Sequence, residues 1–197
     1  MRITVTEFIS LDGVVQAPGG ADEDTDGGFA HGGWSHPFFD DAAGQAWDDA
    51  LRGADALLFG RRTWRVMADA WPGRAGDPFA DRMNAIPKYV VTSSLGDDEL
   101  TWSTTRIPGD EAFDRIRELR ASEGGDLLVM GSASLVRALL DAGLVDELRL
   151  IVMPVLLGGG KTIFPAEGAK RTLELVSTVR GEKGVSVATY RAAADAS

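Results

Sequence analysis

The sequence predicts an α/β domain with a mixed sheet, parallel in its middle and antiparallel at its C-terminal edge. Three observations carry that prediction. Short strand-like runs alternate with longer stretches whose apolar residues recur at helical spacing. Two of the short runs, Ala56–Phe59 and Leu127–Met130, are apolar throughout, like strands buried on both faces of a parallel sheet. Near the end, Leu173–Arg180 and Val185–Arg191 alternate around Gly181-Glu182-Lys183-Gly184, the pattern of an antiparallel hairpin.

The elements follow in order. Ile3, Val5 and Glu7 alternate with Thr4, Thr6 and Phe8 in a first strand that ends near Ser10. A long Gly- and Asp-rich loop runs from about Asp12 to Pro37, and loops of that length are often functional lids. Phe39, Ala43, Ala46, Trp47, Ala50 and Leu51 fall at helical spacing. Gly60 stops the second strand, and Thr63–Ala70 reads as a helix closed by Trp71-Pro72-Gly73. Asp77–Ala85 is a short helix with Pro78 in its first turn. Lys88–Thr92 is a third strand, and Thr101–Thr104 a short one. Asp110–Ser122 is a helix with Phe113, Ile116 and Leu119 inward. After the Leu127–Met130 strand, Ser132 or Ser134 caps a helix that Gly143 closes. Leu148–Val155 is the last strand before the hairpin. No repeat or linker interrupts the chain, so residues 1–197 read as one domain.

Composition narrows the functions. The 197 residues carry 20 Lys and Arg against 30 Asp and Glu, a net charge of −10. Without a basic stripe, neither a phosphate-backbone binder nor an anionic-membrane binder is expected. The absence of Cys removes disulfides, thiolate nucleophiles and Cys-ligated metals, and two His leave little for a metal site. No signal peptide or membrane span is read, so a cytoplasmic location is expected.

Two local motifs turn out to be incomplete. Gly158-Gly159-Gly160-Lys161-Thr162 resembles the end of a P-loop, but Val155 stands where the first glycine is needed. Asp22-Glu23-Asp24-Thr25-Asp26-Gly27 matches half of a calcium loop, but Gly33 stands where its bidentate carboxylate belongs. The dinucleotide fingerprint G-x-G-x-x-G and the nucleophile elbow G-x-S-x-G are both absent.

What remains is a pair of strand-to-helix junctions, Phe59-Gly60-Arg61-Arg62-Thr63 and Met130-Gly131-Ser132-Ala133-Ser134. In an open α/β sheet such junctions lie where ligands bind. Glycine lets the backbone approach a bound group, and a helix N-terminus offers free N–H donors. Arg61 and Arg62 add forked donors suited to phosphate, and Thr92-Ser93-Ser94 adds hydroxyls at a third strand end. Together these suit a nucleotide with several phosphates. Either junction taken alone reads better as a plain strand-to-helix turn.

These residues, together with Glu7–Val14, Gly33–Pro37, Ile86–Thr92, Val145–Leu148 and Pro154–Gly160, resemble the dihydrofolate reductase-like family. That family includes the C-terminal reductase domain of the bifunctional riboflavin biosynthesis enzyme. The resemblance implies a three-layer fold, with a central mixed sheet flanked by helices, paired as a homodimer. It implies NADPH as hydride donor, with Gly60, Arg61, Arg62 and Thr63 at a phosphate-contacting turn. Thr92 and Ser93 then fall at the adenosine ribose or its 2′-phosphate. Gly131, Ser132 and Ala133 fall under the pyrophosphate, and Ser10, Leu11, Asp12 and Gly13 beside the nicotinamide and substrate. The chain departs from the riboflavin reductases at Met130, where they carry an acidic residue, and at Ser93-Ser94, where they carry a basic one.

The expected activity is therefore an NAD(P)H-dependent reduction of a small, heterocyclic C=N or C=O compound. The alternative is a nucleotide- or ligand-binding protein on the same fold without turnover. Asp12 is the candidate catalytic carboxylate, as proton relay or substrate anchor, and equally a residue that only closes the Asp12-Gly13 turn. The 14–37 loop, with Trp34, Phe38 and Phe39, is expected to close over the site as a lid. The apolar hairpin and the Leu148–Val155 strand are expected to form the homodimer interface.

Overall fold

The computed structural model describes residues 1–164 and 167–193. In chain order the elements are β1 (Arg2–Ser10), α1 (Asp41–Gly53), β2 (Ala54–Gly60), α2 (Arg61–Ala70), α3 (Pro78–Ala85), β3 (Lys88–Thr92), β4 (Thr104–Pro108), α4 (Ala112–Ala121), β5 (Asp126–Met130), α5 (Ala133–Asp141), β6 (Glu147–Met153), β7 (Leu173–Arg180) and β8 (Ser186–Ala192). All eight strands share one sheet, in the order β4-β3-β2-β5-β1-β6-β8-β7. The pairs from β4 across to β6 are parallel, and β8 joins β6 and β7 antiparallel.

Helices cover both faces. Val136 and Leu139 of α5 and Ile116 of α4 pack with Ile3, Val5 and Ile9 of β1 on one side. On the other side, Ala50 and Leu51 of α1, Trp64 of α2 and Met83 of α3 pack on Leu57 and Phe59 of β2 and Leu128 of β5. Local chemistry sets the helix ends. Asp40 accepts the Ala43 N–H at 3.2 Å and opens α1, and Asp77 accepts the Phe79 N–H at 2.8 Å, with Pro78 next to it, and opens α3. Gly143, at φ 65°, closes α5, and the Leu144 N–H donates to the Leu139 carbonyl at 2.9 Å.

One strand lies later than predicted. The 101–104 stretch is not extended, because Trp102 and Ser103 take left-handed conformations, φ 59° and 52°. Trp102 instead stacks on Phe59 at 6.2 Å and lies over the Lys88 ammonium at 4.3 Å. Its ring packs against β2 and β3, its indole N–H donates to Asn84 Oδ1 of α3 at 2.7 Å, and β4 begins only at Thr104.

β6 is interior, with β1 on one edge and β8 on the other, so it offers no free edge. The edge strands are β4 and β7, and on β7 Leu173, Leu175, Val176 and Val179 are all exposed. No described helix is long and apolar enough to cross a membrane.

Candidate active site

The structure brings the two predicted junctions into direct contact at the carboxyl ends of β2 and β5. The Gly60 N–H donates to Ser132 Oγ at 2.9 Å, and the Ser132 N–H donates to Thr63 Oγ1 at 2.9 Å. The helix that follows each junction has no side-chain cap at its N-terminus, so its first N–H groups are left without a capping partner. Two helix N-termini, each the positive end of its dipole, therefore meet at this junction. Gly131 and Ser132 both have φ 64°, unusual for serine. A side chain at position 131 would start 2.9 Å from Thr63 Cγ2, so only glycine lets the turns close this tightly.

The remaining predicted contacts line the same edge. Thr92 Oγ1 accepts the Ser94 and Leu95 N–H groups at 3.1 and 3.2 Å, which folds the chain back after β3 with Ser93 at the bend. Arg61 makes no ion pair among the described residues. Arg62 is engaged: its guanidinium pairs with Asp26 of the long loop at 2.9 Å. The Lys161 ammonium holds the same carboxylate at 2.9 Å and Asp24 at 2.8 Å. The Lys161 hydrogen bond, its charge and that of Arg62 together hold Asp26 below the usual carboxylate range. The half P-loop and the half calcium loop thus neutralise each other.

Asp12 is an exposed latch. Ser10 Oγ donates to it at 2.6 Å, and the Gly158 and Leu157 N–H groups donate at 2.7 and 3.0 Å. These donors hold its carboxyl below the ordinary range, Ser10 first. A carboxylate stabilised in its ionised form by three donors is poorly suited to giving up a proton. This favours the turn-closing side of the sequence reading. Ser10 also accepts the Val14 N–H at 2.8 Å, and Leu11 stands exposed beside the latch.

Trp34 departs from the lid expectation. It is buried among Ala43, Ala46 and Met153, and its indole N–H donates to the Gln16 carbonyl at 2.7 Å. It anchors the loop to the core. The start of the loop is fixed too, since Val14 bridges to Thr162 and the Val15 N–H donates to the Lys161 carbonyl at 2.9 Å. Two adjoining cavities, about 560 and 490 Å³, lie between this loop and the Leu157–Lys161 turn. Asp12 and Gly13 line the smaller one, while the Gly60 and Gly131 junctions line neither.

In the sequence Glu7 belongs to the strand pattern and to the Glu7–Val14 resemblance, with no site role of its own. It lies one residue past the end of the β1–β5 pairing and is buried, with no cation partner among the described residues. Burial pushes its carboxyl up to about 8, against the Gly131 N–H and reinforced by the charge of Glu23. The available signal was a carboxylate in the apolar register Ile3-Val5-Glu7-Ile9.

Known proteins share this architecture. A family model described as the RibD C-terminal domain matches residues 1–187. The uncharacterised protein YyaP of Bacillus subtilis (strain 168) is 25% identical over 198 residues, spanning 96% of this chain and 94% of YyaP. A solved structure described as a riboflavin biosynthesis protein from Shewanella sp. PV-4 superposes with TM-score 0.70 at 18% identity, over 98% of this chain and 100% of that one. A pyrimidine reductase-like protein from Corynebacterium diphtheriae gives 0.61 at 16% identity, over 98% and 92%. Dihydrofolate reductase from Enterococcus faecalis, complexed with NADP(H), gives 0.64 at 18% identity, over 98% and 97%. The fold is dihydrofolate reductase-like, with the antiparallel C-terminal hairpin that the sequence predicts.

Proposed function

Because the chain belongs to the family of the RibD C-terminal domain, we propose that it is an NADPH-dependent reductase of a small heterocyclic C=N or C=O compound. The observation that carries this reading is the pair of interlocked, uncapped helix N-termini at Gly60 and Ser132. Adjacent N–H groups at two positive dipole ends suit a diphosphate, which needs donors on both phosphoryl groups. Gly60, Arg61, Arg62 and Thr63 would take one side, and Gly131, Ser132 and Ala133 the other. Thr92 and Ser93 would meet the adenosine ribose or its 2′-phosphate, with the Thr92 hydroxyl still free to donate.

When bound, the nicotinamide supplies the hydride, and the protein supplies position and a proton. The cradle would hold the diphosphate at the middle of the dinucleotide, with the adenosine on the β3 side and the nicotinamide on the β1 side. Ser10, Leu11 and Gly13 then stand beside the reacting ring, where the Asp12 latch holds the Leu157–Gly158 turn against β1. The tethered loop excludes water from that side. We place the protein in the cytoplasm as a homodimer, with the β7 edge as the interface.

The test is direct. Titration calorimetry with NADPH should give saturable binding that weakens as salt rises. Incubation with pterins, pyrimidines and quinonoid compounds should then consume NADPH absorbance with one class. Absence of NADPH binding at low salt overturns the reading.

A further inference from the structure

The turn that follows β6 already receives one anion. The Leu157 and Gly158 N–H groups donate to the Asp12 carboxylate at 3.0 and 2.7 Å. The next two, those of Gly159 and Gly160, have no acceptor among the described residues. The Lys161 N–H donates to Gln16 Oε1 at 3.0 Å. Successive N–H groups on a turn form a concavity that suits anions. Gly159, Gly160 and Lys161 line the larger cavity, of about 560 Å³, and Asp26 lines it from the loop side.

One oxygen joins that cavity to α2. Asp26 Oδ2 lies 2.9 Å from Arg62 Nη2 and 2.9 Å from Lys161 Nζ. Two cations from separate elements thus converge on one point, and a side chain that is about half exposed holds it. Everything around Asp26 is fixed by other means. Lys161 also pairs with Asp24 at 2.8 Å, and Arg62 stands in the first turn of α2. Gln16 Nε2 donates to the Asp24 and Asp26 carbonyls, each at 3.0 Å. The main chain and both cations therefore stay in place when the Asp26 side chain rotates into solvent. What remains is two cations, balanced by the single charge of Asp24, beside two unpaired N–H groups. An oxyanion with several free oxygens can accept from Arg62, Lys161 and the turn together, whereas Asp26 satisfies only the two cations.

We propose that the space held by Asp26 Oδ2 is an anion-binding site, which takes a phosphoryl or carboxylate group of a ligand between Arg62, Lys161 and the Gly159 and Gly160 N–H groups. Asp26 is a placeholder that keeps the two cations together until a ligand oxygen replaces its own. Lys161 thereby becomes a binding residue. The glycine turn works as the P-loop fragment it resembles, with no helix behind it, since Thr162 bridges back to Val14 instead. A phosphate of the cofactor and an anionic group on the substrate share this chemistry. Arg62 belongs to the helix at the cradle and Lys161 to the cavity, so the site stands where the two ligands would meet. If the charges only pinned the loop, removing Asp26 would loosen it without any gain in affinity for anions.

Amide NMR of Gly159 and Gly160 tests this with inorganic phosphate as the probe, at an ionic strength held constant with chloride. Phosphate should move both signals saturably. Asp26→Asn should saturate at about two- to five-fold less phosphate, because the competing charge is gone. Lys161→Gln should need about ten-fold more, and Lys161→Arg should recover most of the affinity. If Lys161→Gln does not fold, the gain in Asp26→Asn decides. Repeating the titration under saturating NADPH identifies the source of the anion. Amides that no longer answer phosphate assign the site to the cofactor, and amides that still answer assign it to an anionic substrate. Signals that phosphate leaves unmoved, equal phosphate affinity in wild type and Asp26→Asn, or wild-type affinity in Lys161→Gln overturn the site. If phosphate binds in this way and NADPH does not bind in calorimetry, the reductase reading fails and the anion site stands.

Discussion

Asp26 of the long loop holds Arg62 of α2 at 2.9 Å, so a carboxylate already occupies an arginine that the proposed function gives to a phosphate. Both side chains are about half exposed or more, and such pairs contribute only about 0–1 kcal/mol. A phosphate can therefore displace Asp26 at little cost. Asp26→Asn should tighten NADPH binding, by about five-fold at most. Replacing Arg61 and Arg62 together with Ala should weaken it by a few kcal/mol, since charge-assisted bonds are each worth about 1.5–3 kcal/mol. Calorimetry at two salt concentrations checks both, and unchanged affinity in the double variant removes the arginines from the site.

Asp12→Asn should act on the Leu157–Gly158 turn before it acts on chemistry. The variant loses the charge that the Leu157 and Gly158 N–H groups donate to, and hydrogen exchange at those two amides should quicken. The Asp12 carboxyl lies below its usual value in the folded protein, so its contribution is full above the usual carboxylate range. That contribution fades as pH falls through the folded value. Wild-type exchange at Leu157 should therefore approach that of the variant in acid. A large loss of turnover with no change in exchange would restore Asp12 as a proton relay.

Two buried groups give the stability curve opposite slopes. Glu7 keeps its proton up to about 8 when folded, against 4.5 as its reference, so between those values the folded state binds the extra proton. Its contribution to stability therefore falls as pH rises through that window. Lys88 is fully buried, and burial pushes its ammonium down from 10.5 to about 8. There the unfolded state binds the extra proton, so stability recovers from about 8 upward. Urea unfolding across pH should show Glu7→Gln flattening the first slope and Lys88→Met the second, each by a few kcal/mol at most.

The β7 edge should set the oligomeric state. Leu175 and Val179 are 51% and 54% exposed on a strand with one free edge. Open edges bearing apolar residues invite pairing with a second copy. Light scattering should give a dimer at micromolar concentration, and Leu175→Lys with Val179→Lys should give a monomer. A monomeric wild type removes this interface.

The sequence made the fold legible because its strands and helices differ in period and its ends carry glycine or capping residues. Gly60, Gly131 and Gly143 each mark a boundary that the structure keeps. It misled where a side chain had a tertiary task. Trp102 and Trp34 look like strand and lid residues, yet one packs against β2 and β3 and the other pins a loop. Nothing local distinguishes those uses. Lys161 and Asp24 stand far apart in sequence, so neither motif reveals that the other satisfies it. Glu7 was visible as a charge in an apolar register, but its burial without a cation among the described residues depends on how the sheet and helices close around it.

The left-handed serine at position 132 has a consequence for how a ligand would be received. Glycine would suit φ 64° better, and a non-glycine residue there stores about 1 kcal/mol or more of strain. Serine keeps a hydroxyl that ties α5 to Gly60 while its own N–H ties back to Thr63. The two helix ends therefore move as one body. A dinucleotide bridging them would find the cradle already shaped, and its binding energy would not be consumed in drawing the halves together. What the chain gives up in local backbone comfort it recovers as preorganisation.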